Sequence, residues 1–290
     1  GFSMTNSTSV PQGYPFRRIS ALFHLNELNS RTYNFHHHDF LKIMILLSGN
    51  VTYVVEGALP IDAPWDIVLV DRGQVHRPVV DTAQPYERIL LYLSPSFLVK
   101  NTAPKEASLT KCFETAQYRH SQVLRLSHET LAPIKVLLQK LEANTSCKNN
   151  EFCMPPCLPK ILCLEFLIEL NRITPFTKAG FLTESTLDYR IPAILAYINS
   201  HLDEPMDRLT LSALSGLSSY HMIGLFKQET GYTVGNYITE KRLIKARDLL
   251  SQGTCATQAC YLCGFQNYST FLRAYKKRYP GRPKDILNSI

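Results

Sequence analysis

Three histidines and a lysine in the first half of the chain have a spacing that suggests a shared site. His36, His38 and Lys42 have the same parity, so an extended backbone would place their side chains on one face of a strand. His76 is the last residue of the turn sequence Gly73-Gln74-Val75-His76, which we expect to end the strand that starts near Asp66. Neutral imidazoles can ligate a metal or share hydrogen bonds, whereas a charged lysine offers donors and no lone pair.

These four residues allow three interpretations. A three-histidine set can bind zinc or iron, although the Lys42 ammonium would repel a cation. Histidines beside a polar turn can also be structural. We favour a pocket in which His36, His38, Lys42 and His76 offer hydrogen bonds and positive charge to a small hydroxylated or anionic ligand. No catalytic residue, metal ligand or cofactor is assigned.

The chain has eight cysteines, which we expect to be reduced thiols because no signal peptide precedes them. Half of them are close together: Cys147, Cys153, Cys157 and Cys163. Their gaps do not form the paired C-x2-C knuckles of a zinc site. Cys260 and Cys263 do have the two-residue gap, but on a short predicted helix, where we interpret them as core residues.

A basic helix near the end of the chain is the second candidate site. Phe271, Ala274 and Tyr275 recur at helical spacing after the Gly264 turn, and basic residues lie between them. The net charge is +7, of which residues 187–290 carry +5, with thirteen Lys or Arg against eight Asp or Glu. This surplus predicts a polyanionic partner such as double-stranded DNA.

The length of 290 residues predicts two domains. Residues 1–15 have the character of an expression scar and an N-terminal arm, without the apolar core of a secretory signal. No run of eighteen apolar residues predicts a membrane span, and we expect a cytoplasmic protein.

Residues 16–95 alternate short β-rich runs with turn signals, which predicts an antiparallel barrel or sandwich. The candidate strands are residues 17–22, 40–47, 51–56, 67–70 and 88–93. Two helices with apolar stripes follow within residues 127–173, the first capped by Ser127. They predict a hairpin that packs on the barrel or mediates dimerisation. Residues 174–186 are the expected linker.

Residues 187–290 are predicted to be helical and contain an internal repeat. A short helix, the turn at Gly216 and a helix over residues 219–229 form a helix-turn-helix. A short helix over residues 254–263, the turn at Gly264 and a helix over residues 267–279 form a second. One long helix over residues 236–250 joins the two motifs.

This half resembles the DNA-binding domain of AraC-type transcriptional regulators (the AraC/XylS family). The residues that carry the resemblance are Leu211, Gly216-Leu217-Ser218, Tyr220, Phe226-Lys227, Gly231, Tyr237, Arg242, Ala246, Leu249-Leu250, Gly264-Phe265, Ser269, Phe271, Arg273, Tyr275-Lys276-Lys277 and Pro283. The DNA contacts that it implies are Ser219, Tyr220, His221, Lys227, Asn267, Ser269, Thr270, Arg273, Lys276 and Lys277. Arg273 is the best candidate for a guanine contact, whereas Gly224 stands where arginine is common in the first recognition helix.

The first half resembles the cupin superfamily. The matching patterns are His36-x-His38-x3-Lys42-x6-Gly49 and Trp65-x5-Asp71-x-Gly73-x2-His76. In metal-binding cupins the three histidine positions ligate the metal together with a glutamate, and Lys42 replaces that glutamate here. A cupin-like sensor ahead of this type of DNA-binding domain is a familiar arrangement in the AraC family.

The expected fold class is α+β, with a cupin-like antiparallel β-barrel and helical hairpin in residues 16–173 linked to an all-α domain with two helix-turn-helix motifs in residues 187–290. We expect a ligand-responsive transcriptional regulator that is not an enzyme. Its expected partners are double-stranded DNA, a small-molecule effector and a second copy bound through the hairpin. The alternatives are a metal-dependent cupin enzyme joined to a DNA-binding module, and a cysteine-based redox or zinc sensor.

Overall fold

The computed structural model describes residues 2–4, 20–27, 35–55, 58–61, 63–81, 83–102, 108–119, 121–145, 157–174, 180–182, 190–279 and 281–286. The chain divides into two compact units, Gly1–Thr186 and Leu187–Ile290. Most of the linker expected over residues 174–186 lies outside the described residues, as do Cys147 and Cys153.

The described part of the first unit contains two β-sheets. Their strands are β1 (Phe2–Met4), β2 (Ser20–Glu27), β3 (Leu41–Ser48), β4 (Val51–Val55), β5 (Ala58–Ile61), β6 (Ile67–Val70), β7 (His76–Val80), β8 (Tyr86–Leu93) and β9 (Val123–Leu124). One sheet has the order β1-β2-β8-β3-β6-β9 and the other β5-β4-β7. All neighbours are antiparallel except β1 and β2. The predicted antiparallel β-fold of the first unit is therefore confirmed.

Two strands that flank β4 were not predicted. Strands β5 and β7 contain Pro60 and Pro78, which cannot donate a backbone hydrogen bond and so weaken a strand pattern. Both strands lie at the edges of the smaller sheet, where a missing donor is tolerated. One consequence corrects the sequence interpretation: His76 does not end β6 in a turn but begins β7.

The large sheet is buried on both faces because its side chains alternate between two cores. On β3, Met44 and Leu46 point between the two sheets, with Val68 of β6 and Tyr53 of β4. Ile43 and its odd-numbered neighbours point the other way, onto helices. Lys42 has the parity of Met44, and that parity directs its side chain into the barrel interior.

The helices of the first unit cover the outer face of the large sheet. They are α1 (Pro95–Asn101), α2 (Lys111–Tyr118), α3 (His128–Thr145) and α4 (Leu158–Ile173). The hydroxyl of Ser127 accepts from the backbone N–H of Thr130, which confirms the predicted cap of α3. Ile134, Leu138 and Phe166 of the α3–α4 hairpin are buried against the sheet.

The second unit consists of helices, as predicted. They are α5 (Arg190–Ser200), α6 (Arg208–Ser215), α7 (Ser219–Thr230), α8 (Val234–Ser251), α9 (Ala256–Leu262) and α10 (Tyr268–Arg278). Gly216 and Gly264 have positive φ angles of 65° and 84°, which few residues other than glycine adopt. Ser218 caps α7, and Asn267 caps α10. No helix among the described residues combines the length and apolar character needed to cross a membrane.

Helix α8 is the shared support of both motifs. The ring of Phe226 in α7 lies 5.5 Å from that of Tyr237 on α8. Further along α8, Leu243 and Ala246 belong to the core that contains Phe271 and Tyr275 of α10. With 18 residues, α8 is about 27 Å long, which separates the two motifs along a rigid axis.

Arg242 joins α8 to the segment between α5 and α6. Its Nε donates to the carbonyl oxygen of Leu202 and its Nη2 to that of Glu204, each over 2.8 Å. Gly264 is packed against the same residues, so that a Cβ there would overlap the Leu202 carbonyl and meet the Arg242 guanidinium at 2.9 Å. The second turn therefore excludes a side chain for two reasons, the positive φ and the close approach.

We predict that Gly264→Ala destabilises the second unit more than Gly216→Ala. At Gly216 an added Cβ meets nothing within 4 Å, so only the left-handed conformation costs free energy, about 1 to 2 kcal/mol. At Gly264 the overlap with the Leu202 carbonyl adds a further ~1 to 3 kcal/mol. Urea unfolding followed by far-UV circular dichroism measures both variants.

The chain's single tryptophan, Trp65, lies in the first unit and provides an internal control. Its fluorescence transition should be unchanged in both variants. If the two substitutions lower the free energy of unfolding equally, the close approach of Leu202 to Gly264 has no effect on stability.

Candidate functional site: barrel interior and nucleic-acid interface

Backbone pairing brings the three histidines together. His36 N–H donates to the carbonyl of His76 over 3.1 Å, and His76 N–H donates back to His36 over 2.9 Å. The ring of His76 consequently lies 4.2 Å from that of His36 and 4.7 Å from that of His38. The parity argument was wrong in one respect, because β3 begins only at Leu41 and does not include His36 or His38. The pairing with β7 brings the three rings together instead.

Lys42 lies in the barrel interior and is 6% exposed. Its Nζ donates to the Tyr53 hydroxyl over 2.7 Å. Burial, with a smaller contribution from the positive charge of Arg88, lowers the pKa of Lys42 to about 7. Tyr53 was not predicted as a site residue. The alternation of Val51, Tyr53 and Val55 along the predicted strand is the signal that could have identified it.

The hydrogen bonds of His38 and His76 define what their free nitrogens can do. The Nδ1 of each ring lies 2.9 Å from a backbone carbonyl, that of Phe40 for His38 and that of Gln74 for His76. Carbonyls only accept, so both Nδ1 atoms carry a proton. Burial, followed by the Lys42 charge, holds both pKa values well below the usual range, so the rings are neutral.

Each Nε2 is therefore a hydrogen-bond acceptor. The Nε2 atoms of His38 and His76 are both buried and have no partner in the structure. A buried acceptor without a donor is costly, and a bound molecule that supplies hydroxyl or N–H donors would remove that cost. The four predicted residues thus share one region, with two acceptors from histidine and one donor from Lys42.

Among the described residues, which include His36, His38 and His76, no three His, Cys, Asp or Glu side chains are placed to hold one metal ion. Of the cysteine cluster, Cys157 is exposed and Cys163 is buried. Burial raises the pKa of Cys163, which keeps the thiol protonated and unsuited to bind zinc. Cys260 and Cys263 are buried in the core of the second unit, as predicted.

Helix α10 separates an apolar face from a basic one. Phe271 and Tyr275 are buried in the core, whereas Arg273, Lys276 and Lys277 are exposed. The arrangement follows directly from the predicted helical spacing. This basic face has no acidic residue in its own helix to neutralise it.

Two of the predicted DNA contacts have other roles in the structure. The Asn267 Oδ1 accepts from the N–H groups of Ser269 and Thr270 and so caps α10. The Ser219 hydroxyl donates to the hydroxyl of Ser212 over 3.3 Å, inside the first motif. These two side chains position the starts of α10 and α7.

The remaining predicted contacts are on the surface. Ser269 and Thr270 are exposed at the start of α10. On α7, Tyr220, His221 and Lys227 are exposed, with Tyr220 at 85%. Both helices therefore present polar or charged side chains away from the core, on the side opposite α8 in each motif.

Two family models match the chain, one for each unit. The model of the AraC-like ligand binding domain matches residues 22–152, and the model of a helix-turn-helix domain matches residues 211–289. Together they match most of the chain.

Relatives with established names resemble the chain over nearly its whole length. The HTH-type transcriptional activator RhaS of Citrobacter koseri is 26% identical over 258 residues, which cover 87% of this chain and 86% of RhaS. RhaS of Escherichia coli O81 is 25% identical over 260 residues, with the same coverage. Among solved structures, ToxT from Vibrio cholerae is 14% identical, covers 93% of this chain and 98% of its own, and has a TM-score of 0.37. The order of the two domains and the repeated helix-turn-helix identify the chain as a member of the AraC family of ligand-responsive, DNA-binding transcriptional regulators.

Proposed function

We propose that the protein recognises promoter DNA mainly through Arg273. We propose further that a hydroxyl-bearing small molecule bound beside Lys42 regulates its activity. The observation that carries the proposal is the repeated helix-turn-helix on α8, in which α10 exposes a basic face. Because its target is promoter DNA, the protein would act in the cytoplasm of a bacterial cell. Its named relatives are transcriptional activators, which favours activation as the outcome of ligand binding.

The exposed face of α10 suits the major groove. An arginine can make a bidentate contact to guanine O6 and N7, whereas lysines at the helix edge act as point charges for phosphates. Arg273 is therefore assigned to a guanine, and Lys276, Lys277 and Lys227 to phosphates. Because α8 is a single rigid helix, α7 and α10 would enter successive major-groove segments about 34 Å apart.

The barrel interior suits a ligand with several hydroxyl groups. Its two Nε2 acceptors on His38 and His76 require donors, which a carboxylate alone cannot supply. Lys42 offers a donor to a ligand oxygen, and His36 borders the same region. A polyol, sugar or hydroxy acid has this combination of donors and acceptors. The proposal is binding without chemical conversion, as the names of the relatives as transcriptional activators suggest.

The α3–α4 hairpin is the proposed dimer interface. Ile161 and Ile168 of α4 are 53% and 54% exposed and are seven residues apart, so they lie on one face with the partly exposed Leu164. Large exposed apolar side chains in a row are typical of a surface that is covered by a partner. A second copy of the chain would bury them in a symmetric contact.

The first prediction concerns base reading. Arg273→Ala should cost about 1 to 3 kcal/mol at one base pair and relax sequence preference there, because a bidentate guanine contact is lost. Lys277→Ala should weaken binding to all sequences alike and reduce the salt dependence. Gel-shift titrations on a selected site and its single-base variants measure both effects. An Arg273→Ala variant with full affinity and full selectivity would contradict the assignment.

The second prediction concerns the effector. Lys42→Ala should abolish the response of a promoter reporter to the active compound while DNA binding without that compound is unchanged. A panel of sugars, polyols and hydroxy acids, screened by thermal shift on the full chain, supplies the compound. Lys140→Ala, at an exposed position of α3, is the matched control. An unchanged response in Lys42→Ala would remove Lys42 from the site.

The pH dependence of the free energy of unfolding tests whether Lys42 is buried in the folded protein. The pKa of Lys42 is lowered in the folded protein, so burial of the charged form opposes folding below pH ~7, and this penalty disappears as the pH rises towards the unfolded value. Lys42→Met should therefore be more stable than the wild type at pH 6, by a margin that shrinks as the pH rises above 7. Urea unfolding followed by Trp65 fluorescence measures this margin.

The third prediction concerns assembly. The double variant Ile161→Glu with Ile168→Glu should sediment as a monomer at concentrations at which the wild type is a dimer, because burial of two carboxylates in an apolar contact is unfavourable. Lys100→Glu, on an exposed position of α1 outside the hairpin, should leave the dimer intact. A double variant that still dimerises would place the interface elsewhere.

A further inference from the structure

Helix α7 carries a shallow hollow centred on Gly224. The hollow has a volume of about 500 Å³, and its apolar lining comes from Leu217, Tyr220, Ile223 and Leu225. Gln228 also lines it.

Neither packing nor backbone conformation explains the glycine. Gly224 is in the middle of α7, its φ is not positive, and an added Cβ would meet nothing within 4 Å. A glycine inside a helix nevertheless makes the helix less stable than any other residue except proline would. The fold of the isolated protein gives no reason for a glycine at this position.

The second recognition helix has the opposite chemistry at the same position. The internal repeat aligns Gly224 of α7 with Arg273 of α10. Arg273 is exposed and places a positive charge on the surface of α10. Gly224 has no side chain, and the hollow at its position on α7 is lined by apolar residues. If both helices face bases, they must read different chemical groups.

We propose that the Gly224 hollow receives the C5-methyl group of a thymine, and that α7 thereby selects an A·T base pair. The inference rests on the proposed entry of α7 into the major groove. Thymine is the base that presents an apolar group there, and apolar side chains contact that methyl. The side-chain amide of Gln228, one turn further along α7, has the donor and acceptor that pair with adenine N6 and N7.

Arg190 and His221 also line the hollow. Arg190 is at the start of α5 and His221 is in α7. The positive charge of Arg190 beside an apolar depression suits a base edge that is flanked by phosphates. A small apolar ligand without charge would not need this charge.

Replacement of thymine by uracil in the operator tests the inference. The full-length protein first selects its binding site from a random duplex library, and each thymine of that site is then replaced by uracil, which removes only the methyl. One substitution in the α7 half of the site should weaken binding about fourfold, the value expected for one buried methyl group. The α7 half is the one in which Arg273→Ala does not relax the base preference.

Gly224→Leu is the matching protein variant. Leucine fills the hollow, so affinity for the thymine-containing site should fall at least about fivefold, as for a mismatched base pair. Uracil at the critical position should then cause no further loss. The variant should also unfold at a higher Tm, by about 4 to 8 °C, because leucine favours the helix. Gly235→Leu, at another exposed helical glycine with open space around it, should leave the uracil effect unchanged.

The outcomes separate the two proposals. If no sequence is selected from the library, the proposed reading of DNA fails, and the inference fails with it. If a site is selected but no uracil in the α7 half lowers affinity, or if Gly224→Leu binds that site as tightly as the wild type, the methyl-binding hollow alone is overturned.

Discussion

The contact of Arg242 with the backbone of Leu202 and Glu204 holds the second unit in its functional form. It attaches the segment between α5 and α6 to the long helix α8, and the second turn approaches so closely that only glycine fits at position 264. The guanidinium donates to two backbone carbonyls with one rigid, planar group. Helices α7 and α10 both pack on α8, and the length of α8 sets the distance between them.

The barrel interior depends on a different constraint, the burial of several basic side chains close to one another. Burial lowers the pKa values of Lys42, His38 and His76, and the positive charge of Lys42 lowers those of the two histidines further. The two histidine rings are consequently neutral, and their Nε2 atoms act as acceptors. In a metal-binding cupin the glutamate at the position of Lys42 would reverse this balance, because a carboxylate attracts a cation. In the proposed function, Lys42 at this position favours a ligand with hydroxyl groups over a metal ion.

The periodicities of the sequence were sufficient for most of the fold. The apolar spacing predicted α10 and its basic face, and the match of Gly216 to Gly264 predicted two related turns. The strand prediction failed where a residue that disfavours strands is tolerated because of its position in the sheet. Strands β5 and β7 contain prolines that a sequence pattern penalises, and only their edge position makes these prolines harmless. The sequence also did not distinguish the structural roles of Asn267 and Ser219 from DNA contacts. Hydrogen bonds within the protein and hydrogen bonds to DNA use the same amide and hydroxyl groups.

The sequence by itself determined the two-domain architecture, the repeated helix-turn-helix, the basic character of α10 and the set of four candidate pocket residues. These properties follow from residue type and from spacing along one element, which the local backbone geometry translates directly. Only the tertiary structure decided that Tyr53 is the partner of Lys42, that His38 and His76 present free acceptors, and that Gly224 opens a hollow. Each of these depends on atoms that are brought together from separate elements or on space that is left empty, and neither is encoded in the periodicity of any single segment.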